Sequence, residues 1–296
     1  MLFRSVGAYG NLSLTGVGTC GQIVTNSMTD GGSIELMNGG SSTYGLAYNS
    51  VQNSSYLKID VAHVDYVAAN NLSGDSTLEF LEGEVNSVYG NVLNEVASVT
   101  YTTCSIGDIQ KNTFTATTFV YNNCTTSVFK CNNITHNVAI NVLSSYIDNF
   151  QYNSISSNNA TINISDAVID DFLQNTIASG LAFNLSIFTG TSFSNNFIAN
   201  SFVLLQDTSC PDFIFNNIVG NSYVISYTST AEISNNQIDC YSGFYIMDST
   251  INSLTYNSLG AATGLAMVLL TTYGVDYNTF FTSSFSCSGD SWQLGY

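Results

Sequence analysis

A short pattern of apolar and polar positions recurs along almost the whole chain. It reads apolar-x-x-Asn-x-apolar, and successive copies of its asparagine are 20 to 23 residues apart. A fixed period of this length is typical of solenoid proteins, in which each repeat forms one coil of a stack. The pattern predicts about thirteen coils of about 21 residues, each marked by one of Asn26, Asn49, Asn70, Asn91, Asn112, Asn132, Asn153, Asn175, Asn196, Asn216, Asn236, Asn257 and Asn278.

The positions beside each asparagine are strictly apolar, whereas those between them vary freely. Every copy has an aliphatic or Phe side chain three residues before the asparagine and an apolar side chain two residues after it. A second apolar pair lies eight and ten residues after most copies, as at Leu78 and Phe80, and a third apolar position often precedes the asparagine by six. Alternation with a period of two indicates β-strands. We therefore expect an all-β, parallel β-helix with three short strands per coil and the right-handed crossovers usual for parallel strands.

Helical repeats do not fit this pattern. Leucine-rich repeats have a similar period but a different leucine spacing, and helix formers are scarce here while Asn, Ser, Thr and Gly occur every few residues. The unit resembles the parallel β-helix repeat of the pectin-lyase-like superfamily over about residues 20–285. That resemblance implies a fold but no activity, because the superfamily holds lyases, hydrolases, tailspikes, adhesins and non-catalytic scaffolds.

The ends of the chain depart from the repeat, and we expect them to form caps. In residues 1–19, a degenerate first coil, Ser5 takes the asparagine position and Gly7 an apolar one. Residues 286–296 also leave the pattern and carry the single tryptophan, Trp292. The predicted organisation is therefore an N-terminal cap at 1–19, a parallel β-helix at 20–285 and a C-terminal cap at 286–296.

The recurring asparagine predicts a turn in every coil. Asn tolerates left-handed backbone angles better than other non-glycine residues, so we expect it to take that conformation between two strands. Stacked amides about 4.8 Å apart are expected to form a hydrogen-bonded ladder. The apolar columns are expected to stack in the same way, with five phenylalanines from Phe129 to Phe213 forming one internal pile.

Charge narrows the range of partners. Four basic residues stand against 21 acidic ones, the net charge is −17, and charged residues are only 8% of the chain, against about 25% in typical domains. Nucleic-acid binding needs a basic surface, and docking on anionic lipid needs one too, so neither is expected. The chain has no run of 18 apolar residues, so no membrane-spanning helix is predicted. The segment from Met1 to Cys20 lacks the basic-then-apolar order of a secretory signal.

Composition also suggests an environment. A Lys-poor, Tyr/Asn/Thr-rich chain resembles the surface and virion proteins of thermoacidophilic archaea, which implies an extracellular, cell-surface or virion-surface location. Some glycosylation is expected in such a place, although an Asn/Ser/Thr-rich chain produces most acceptor motifs by chance. The motifs begin at Asn11, Asn53, Asn71, Asn123, Asn133, Asn159, Asn163 and Asn184.

Two of the seven cysteines are spaced for a disulfide. Cys104 and Cys124 both lie eight residues before their asparagines in adjacent coils, and neighbours about 4.8 Å apart fall within disulfide range. Cys131 is close in sequence and is a possible competitor. The others are expected to be buried as small apolar residues, and no cysteine or histidine cluster predicts a metal site.

Catalytic candidates are few, and all are acidic. Asp171, Asp212 and Glu232 each lie four residues before an asparagine, which predicts one outward column with Ser192 in the gap, and Asp170 adds a neighbouring carboxylate. Asp212 and Glu232 would be about 5 Å apart, close to a retaining glycosidase pair. The two histidines differ in coil and phase, no Gly-rich phosphate loop occurs, and every Lys and Arg lies at position 130 or earlier. A solvated acidic stripe or an incidental Ca²⁺ site is therefore the favoured interpretation, and no cofactor is expected.

The leading functional hypothesis is a non-catalytic extracellular or virion-surface β-solenoid. Such a spike, fibre or filament subunit would serve attachment, assembly or shielding, associating with itself or with another surface protein through the ends of the rod. The alternative is a carbohydrate-active enzyme or a glycan-binding module that uses the outward acidic residues. Ice binding is weaker, because no continuous outward Thr column occurs.

Overall fold

The computed structural model describes most of the chain in separate ranges. The described residues are 2–3, 10–15, 21–37, 42–43, 45–135, 139–156, 161–178, 182–186, 189–199, 202–206, 209–210, 212–220, 223–226, 229–240, 244–247, 250–261, 265–268, 271–282 and 285–288. Within them the secondary structure is β-strand without any helix, and so no helix there could span a membrane. The chain divides into two compact units, Met1–Ile147 and Asp148–Tyr296, which we describe in turn.

Unit 1 contains the first nineteen strands and the start of the twentieth. They are β1 (Leu2–Phe3), β2 (Asn11–Thr15), β3 (Gln22–Val24), β4 (Ser27–Met28), β5 (Ser33–Met37), β6 (Ser42–Thr43), β7 (Gly45–Ala47), β8 (Ser50–Gln52), β9 (Tyr56–Asp60), β10 (His63–Ala68), β11 (Asn71–Ser73), β12 (Thr77–Leu81), β13 (Glu84–Tyr89), β14 (Val92–Thr102), β15 (Ser105–Gln110), β16 (Thr113–Asn122), β17 (Thr125–Lys130), β18 (Asn133–Thr135), β19 (Ala139–Leu143) and β20 (Tyr146–Gln151).

Unit 2 continues the same alternation of short strands and corners. Its strands after β20 are β21 (Ser154–Ser156), β22 (Thr161–Ser165), β23 (Val168–Leu173), β24 (Thr176–Ala178), β25 (Ala182–Ser186), β26 (Ser192–Ser194), β27 (Phe197–Ala199), β28 (Phe202–Gln206), β29 (Asp212–Ile214), β30 (Asn217–Gly220), β31 (Tyr223–Ser226), β32 (Ser229–Ser234), β33 (Gln237–Cys240), β34 (Phe244–Met247), β35 (Thr250–Thr255), β36 (Ser258–Ala261), β37 (Leu265–Val268), β38 (Thr271–Asp276), β39 (Thr279–Thr282) and β40 (Phe285–Ser288).

Each coil is built from three strands, and each strand pairs with its counterpart in the next coil. The strands β10, β11 and β12 form one such coil and pair in parallel with β13 and the two halves of β14. Partner residues are usually 20 to 22 apart, as in Val64 with Val85 or Phe80 with Tyr101. In β14 and β16 the second and third strands run together, with a register shift between Asn94 and Val96. The predicted parallel β-solenoid with a period of about 21 residues is confirmed.

The number of coils that can be followed without a gap is smaller than the predicted thirteen. Segments that the structure does not describe interrupt every coil after residue 135. Pairing also reaches both predicted caps. The strands β1 and β2, within residues 1–19, pair with β3 and β5, and β40 pairs with β37 as far as Ser288, three residues beyond the predicted end of the β-helix. The predictions that concern Ser5, Gly7 and Trp292 fall outside the described residues.

The core consists of stacked inward side chains. In unit 2 the rings of Phe150, Phe172, Phe193 and Phe213 stack with centroids 4.8–5.0 Å apart and planes within 8°. Four of the five predicted members of the pile lie in this unit; Phe129 belongs to unit 1, where it meets Phe119 edge-on at 6.1 Å. Repetition of one residue type at one coil position lets parallel strands superimpose identical rings.

The corner before each asparagine is left-handed, but the asparagine is not the left-handed residue. The prediction that Asn takes this conformation is wrong: the positive φ belongs to the residue one position earlier. That outward residue turns the chain and leaves the Asn side chain pointing inward, beneath the turn, where its amide meets the next coil. The left-handed residues have φ between 52° and 62°, and they are Thr25, Tyr48, Ala69, Gly90, Lys111, Cys131, Tyr152, Gln174, Asn195, Phe215, Asn235, Tyr256 and Tyr277.

The asparagine ladder itself is confirmed in both units. In unit 1, Asn70 donates its backbone N–H and its Nδ2 to Oδ1 of Asn91, at 3.0 and 2.9 Å. The same Nδ2 donates to the carbonyl of Leu46 in the preceding coil at 3.0 Å. Equivalent bonds repeat from Asn26 to Asn132 in unit 1 and from Asn153 to Asn278 in unit 2. Each internal amide is therefore satisfied on both its oxygen and its nitrogen.

Candidate functional site

The predicted acidic column exists in unit 2. The strands β23, β26, β29 and β32 place Asp171 beside Ser192, Ser192 beside Asp212, and Asp212 beside Glu232. The side chains of all four are half-buried on the outward face. Because paired strands lie about 4.8 Å apart, the backbones of Asp212 and Glu232 have the spacing predicted for a close carboxylate pair, whereas Asp171 is about 10 Å from Asp212.

The column has no cation beside it among the described residues. Every described ion pair involves Lys58 or His63, both in unit 1. The described residues also contain no group of three or more His, Cys, Asp or Glu side chains that could hold a metal ion. The carboxylates of Asp212 and Glu232, on adjacent strands, can accept hydrogen bonds from hydroxyl groups. A lyase reaction would require a base, and this column offers no basic residue.

Exposed aromatic side chains lie near the acidic column in the same unit. Phe215 occupies the left-handed corner three residues after Asp212, and Tyr256 and Tyr277 occupy the same corner one and two coils beyond Glu232; they are 55%, 59% and 75% exposed. The rings of Tyr256 and Tyr277 stack with centroids 4.9 Å apart and planes 7° apart. Three residues of extended chain span roughly 10 Å, so Asp212 and Phe215 are separated by about the length of two sugar rings.

A second charged cluster in unit 1 was not predicted from the sequence. His63 Nδ1 lies 3.0 Å from Glu84 Oε2, and His63 Nε2 lies 3.5 Å from Asp65 Oδ1. Both ring nitrogens of His63 therefore face carboxylates of its own and the next coil. The signal was present in the sequence, since Glu84 follows His63 by 21 residues, one coil. His136 lies outside the described residues.

The same one-coil spacing produces a network around Lys58. Glu35, Lys58 and Glu79 are register partners on adjacent strands, and Lys58 Nζ lies 3.7 Å from Glu79 and 3.4 Å from Asp60. Tyr56 donates its hydroxyl to Glu35 Oε1 at 2.5 Å. This hydrogen bond, with partial burial, raises the pKa of Tyr56. The network compensates charge on the outer face, so we assign it a structural role.

The two cysteines predicted to pair are neighbours in adjacent coils of unit 1. Both are free thiols and both are buried, so the predicted disulfide is absent from this structure. The backbone N–H of Cys104 donates to Cys124 Sγ at 3.2 Å. Tyr101, buried nearby, has a hydroxyl with no hydrogen-bond partner among the described residues. Burial, with the two thiols close by, raises the pKa of this phenol far above its usual range.

The structure separates the glycosylation motifs by accessibility. Asn11, Asn53, Asn71, Asn123 and Asn133 are exposed. Two others are half-buried and bonded to each other: the amide nitrogen at 184 donates to the side-chain oxygen at 163, at 2.9 Å. The motif at position 159 lies outside the described residues. An oligosaccharide transferase acting on the folded chain would therefore find acceptors mainly in unit 1.

Comparison with known proteins gives no assignment, because no protein-family model, curated protein or solved structure matches this chain.

Proposed function

We propose that the chain is a non-catalytic structural β-solenoid on the outside of a cell or a virion, where it serves attachment, assembly or shielding. The observation that carries this proposal is that residue types repeat from coil to coil in the core but vary on the surface. The inward columns and the asparagine ladder repeat from coil to coil. The outward column four residues before the asparagine instead runs through Gln22, Gly45, Tyr66, Ser87, Asp108 and Val128 in unit 1.

This distribution favours a scaffold over an enzyme. A catalytic site needs a few chemically specific groups that converge, each positioned by its neighbours. In the described residues the ion pairs instead lie along the outer faces, around Lys58 and His63. Charged residues are only 8% of the chain, so much of the surface consists of neutral hydrogen-bonding side chains, which suits contact with glycans or with another protein. The composition, like that of surface and virion proteins of thermoacidophilic archaea, supports the proposed location.

Native material tests the proposed assembly. The chain would be isolated without denaturation from its source, imaged by electron microscopy and sized by analytical ultracentrifugation, with gold-labelled antibody locating it on intact cells or particles. We expect label on the outer surface and a repeating assembly that contains the chain. A free monomer confined to the cell interior would contradict both parts of the proposal.

Glycan occupancy tests the location independently. Peptide mass spectrometry of the native protein should find sugar on exposed acceptors such as Asn71 and Asn133 if the chain passes through a glycosylating export route. Asn163 and Asn184 serve as internal controls, because their amides are engaged with each other and should be occupied less often. Sugar on the controls alone would contradict the accessibility argument.

A second candidate function is glycan binding or hydrolysis at the acidic column. It is favoured by the register of Asp212 with Glu232 and by the exposed aromatic corners of the same and the following coils, Phe215, Tyr256 and Tyr277, since aromatic faces are common platforms for sugar rings. Release of reducing ends from a polysaccharide panel, abolished by Asp212→Asn and unaffected by Asp108→Asn, would establish hydrolysis. Binding without turnover, lost in Tyr277→Ala, would instead establish a glycan-binding module.

A further inference from the structure

A second, shorter ladder stands at another corner of unit 1, where the third strand of one coil passes into the first strand of the next. The residues eight positions before three successive ladder asparagines are Cys104, Cys124 and Ser145. The N–H of Cys104 donates to Cys124 Sγ at 3.2 Å, and the N–H of Cys124 donates to Ser145 Oγ at 3.1 Å. Each of the three side chains also donates to the carbonyl two residues before it, at 3.1, 3.2 and 2.7 Å. Serine and cysteine therefore occupy this column interchangeably.

The backbone geometry at the two cysteines suits a covalent link. The residues that follow them, Ser105 and Thr125, are register partners on β15 and β17. Adjacent coils of a parallel sheet stand about 4.8 Å apart, within the Cα separation of 4.4–6.8 Å that disulfides span. The pair lies under the left-handed corner residues Thr103 and Asn123, which are exposed.

The structure excludes Cys131, which the sequence left as an alternative disulfide partner. Cys131 is exposed at the corner before Asn132, and the six-residue strand β17 separates it from Cys124. Six extended residues span roughly 20 Å, which is far beyond the reach of a disulfide. Cys104 and Cys124 are therefore the two thiols of the described part of this unit that can join within one chain.

The two thiols are not equivalent. Interaction with the Cys124 side chain lowers the pKa of Cys104, although burial opposes this. The same interaction, reinforced by burial, raises the pKa of Cys124. Cys104 is therefore the thiol of the pair that ionises more readily. This asymmetry is typical of thiol pairs that undergo disulfide exchange.

We propose that Cys104 and Cys124 form an oxidisable pair that links two adjacent coils by reaction with a low-molecular-weight disulfide. The Cys104 thiolate attacks one sulphur of R–S–S–R, which forms a Cys104–S–S–R mixed disulfide and releases one thiolate. Cys124 then loses its proton, and its sulphur attacks the Cys104 sulphur and expels the second thiolate. Two protein thiols are oxidised and one R–S–S–R is reduced to two R–SH.

The bridge would close a ring of one whole coil, because the two cysteines are 20 residues apart. It would tie the end of one third strand to its neighbour at a corner where the coils are otherwise held by backbone and ladder hydrogen bonds. A ring of this size constrains the unfolded chain, so we expect the melting temperature to rise by about 5–10 °C on oxidation.

Oxidation of the full chain with oxidised glutathione tests the proposal in two arms. One arm treats the folded, reduced protein, and the other refolds reduced, denatured protein in a glutathione redox buffer, because buried thiols react only when the corner opens. Peptide mass spectrometry after alkylation reports the linkage. We expect a peptide pair joined through Cys104 and Cys124 in the wild type and in Cys131→Ser.

Single serine variants test the order of attack. Cys124→Ser should accumulate the glutathione adduct on Cys104, whereas Cys104→Ser should leave Cys124 largely unmodified. Both variants are expected to fold, since Ser145 shows that the column accepts serine, and circular dichroism checks this. Absence of the Cys104–Cys124 link from both arms would overturn the proposal, as would a link from either residue to Cys131. Preferential modification of Cys124 would overturn the assigned direction.

Discussion

At the residue scale, the corner positions hold ordinary side chains in a left-handed backbone. This conformation costs a non-glycine residue about 1–2 kcal/mol. Tyr, Phe, Gln, Lys and Thr nevertheless occur there, because the position points to solvent and its backbone N–H continues the coil-to-coil pairing, as Gln174 does with the carbonyl of Ser194 at 3.0 Å. The backbone geometry of the fold is therefore imposed on these residues by the asparagine and the strands around them.

Replacing such a residue by glycine should stabilise the protein. For Gln174→Gly we expect a gain of about 0.5–1 kcal/mol, since relief of left-handed strain exceeds the added entropy of the unfolded chain. Gln174→Ala is the matched control and should be nearly neutral. Gly90→Ala should cost about 1 kcal/mol through strain alone, because nothing lies within 4 Å of the added Cβ. Urea denaturation of the three variants gives the comparison, and a loss of stability in Gln174→Gly would refute the strain argument.

Two buried tyrosines in neighbouring coils should respond oppositely to the loss of their hydroxyls. Tyr101 has an unpartnered hydroxyl and stacks on Phe80, so Tyr101→Phe should stabilise unit 1 by about 1 kcal/mol or more by removing a buried unsatisfied group. Tyr121 is hydrogen-bonded to buried Thr126, so Tyr121→Phe should cost about 1 kcal/mol. Thermal denaturation of the two variants measures the difference. Equal losses of stability in Tyr101→Phe and Tyr121→Phe would show that the Tyr101 hydroxyl has a hydrogen-bond partner.

At the scale of the element, the asparagine ladder holds the corner of each coil to its neighbours. Asn91 accepts two hydrogen bonds from Asn70 and donates to Asn112 and to the carbonyl of Val67. Because both sides of the amide are used, loss of one side chain leaves unpaired groups in two neighbouring coils. A ladder member is therefore coupled to its neighbours in a way that a core methyl group is not.

Asn91→Ala should destabilise unit 1 by about 3 kcal/mol or more, since several buried donors and acceptors lose their partners together. Asn94→Ala is the control, because Asn94 is exposed on the adjacent strand, and its change should stay within about 0.5 kcal/mol. Guanidinium denaturation measures both variants. Similar losses at the two positions would mean that the ladder contributes no more than a surface amide.

The elements were predictable to the extent that they depend on the inward columns. Burial fixes residue type at each inward position, so the strands, their period and the ladder follow from the sequence alone. The left-handed position did not follow, because any side chain that points to solvent can occupy it, as Tyr152 and Gln174 do. The His63–Glu84 contact was missed for a related reason: outward neighbours are 21 residues apart and follow no repeated pattern. For the acidic column the sequence predicted the register correctly, yet register alone does not define an activity.

At the scale of the whole molecule, burial of ionisable groups should make stability depend on pH on the alkaline side. Burial raises the pKa of Cys210 to about 12 and the pKa values of Tyr101 and Tyr121 further still. In the unfolded chain these groups ionise near their usual values of 9.0 for Cys and 10.0 for Tyr. At pH values between the unfolded-state and folded-state pKa values, the unfolded state binds fewer protons than the folded state. The free energy of unfolding therefore falls as pH rises through this range.

We therefore expect the free energy of unfolding to decline steadily above about pH 9. Urea midpoints measured from neutral to strongly alkaline pH give the slope. Tyr121→Phe should show a shallower decline than the wild type, because it removes one group whose folded pKa is raised. Stability that is flat or rising in this range would contradict the burial of these groups.

The in-register pairing of coils also limits how such a gene can change in length. Removal of residues 71–91 would bring Asn70 directly before Val92, and the amide of Asn70 would then face Asn112 as it now faces Asn91. Removal of half that number would place outward residues in the core. Insertions and deletions should therefore survive selection mainly as multiples of about 21 codons, so that homologous genes should differ in length by whole coils.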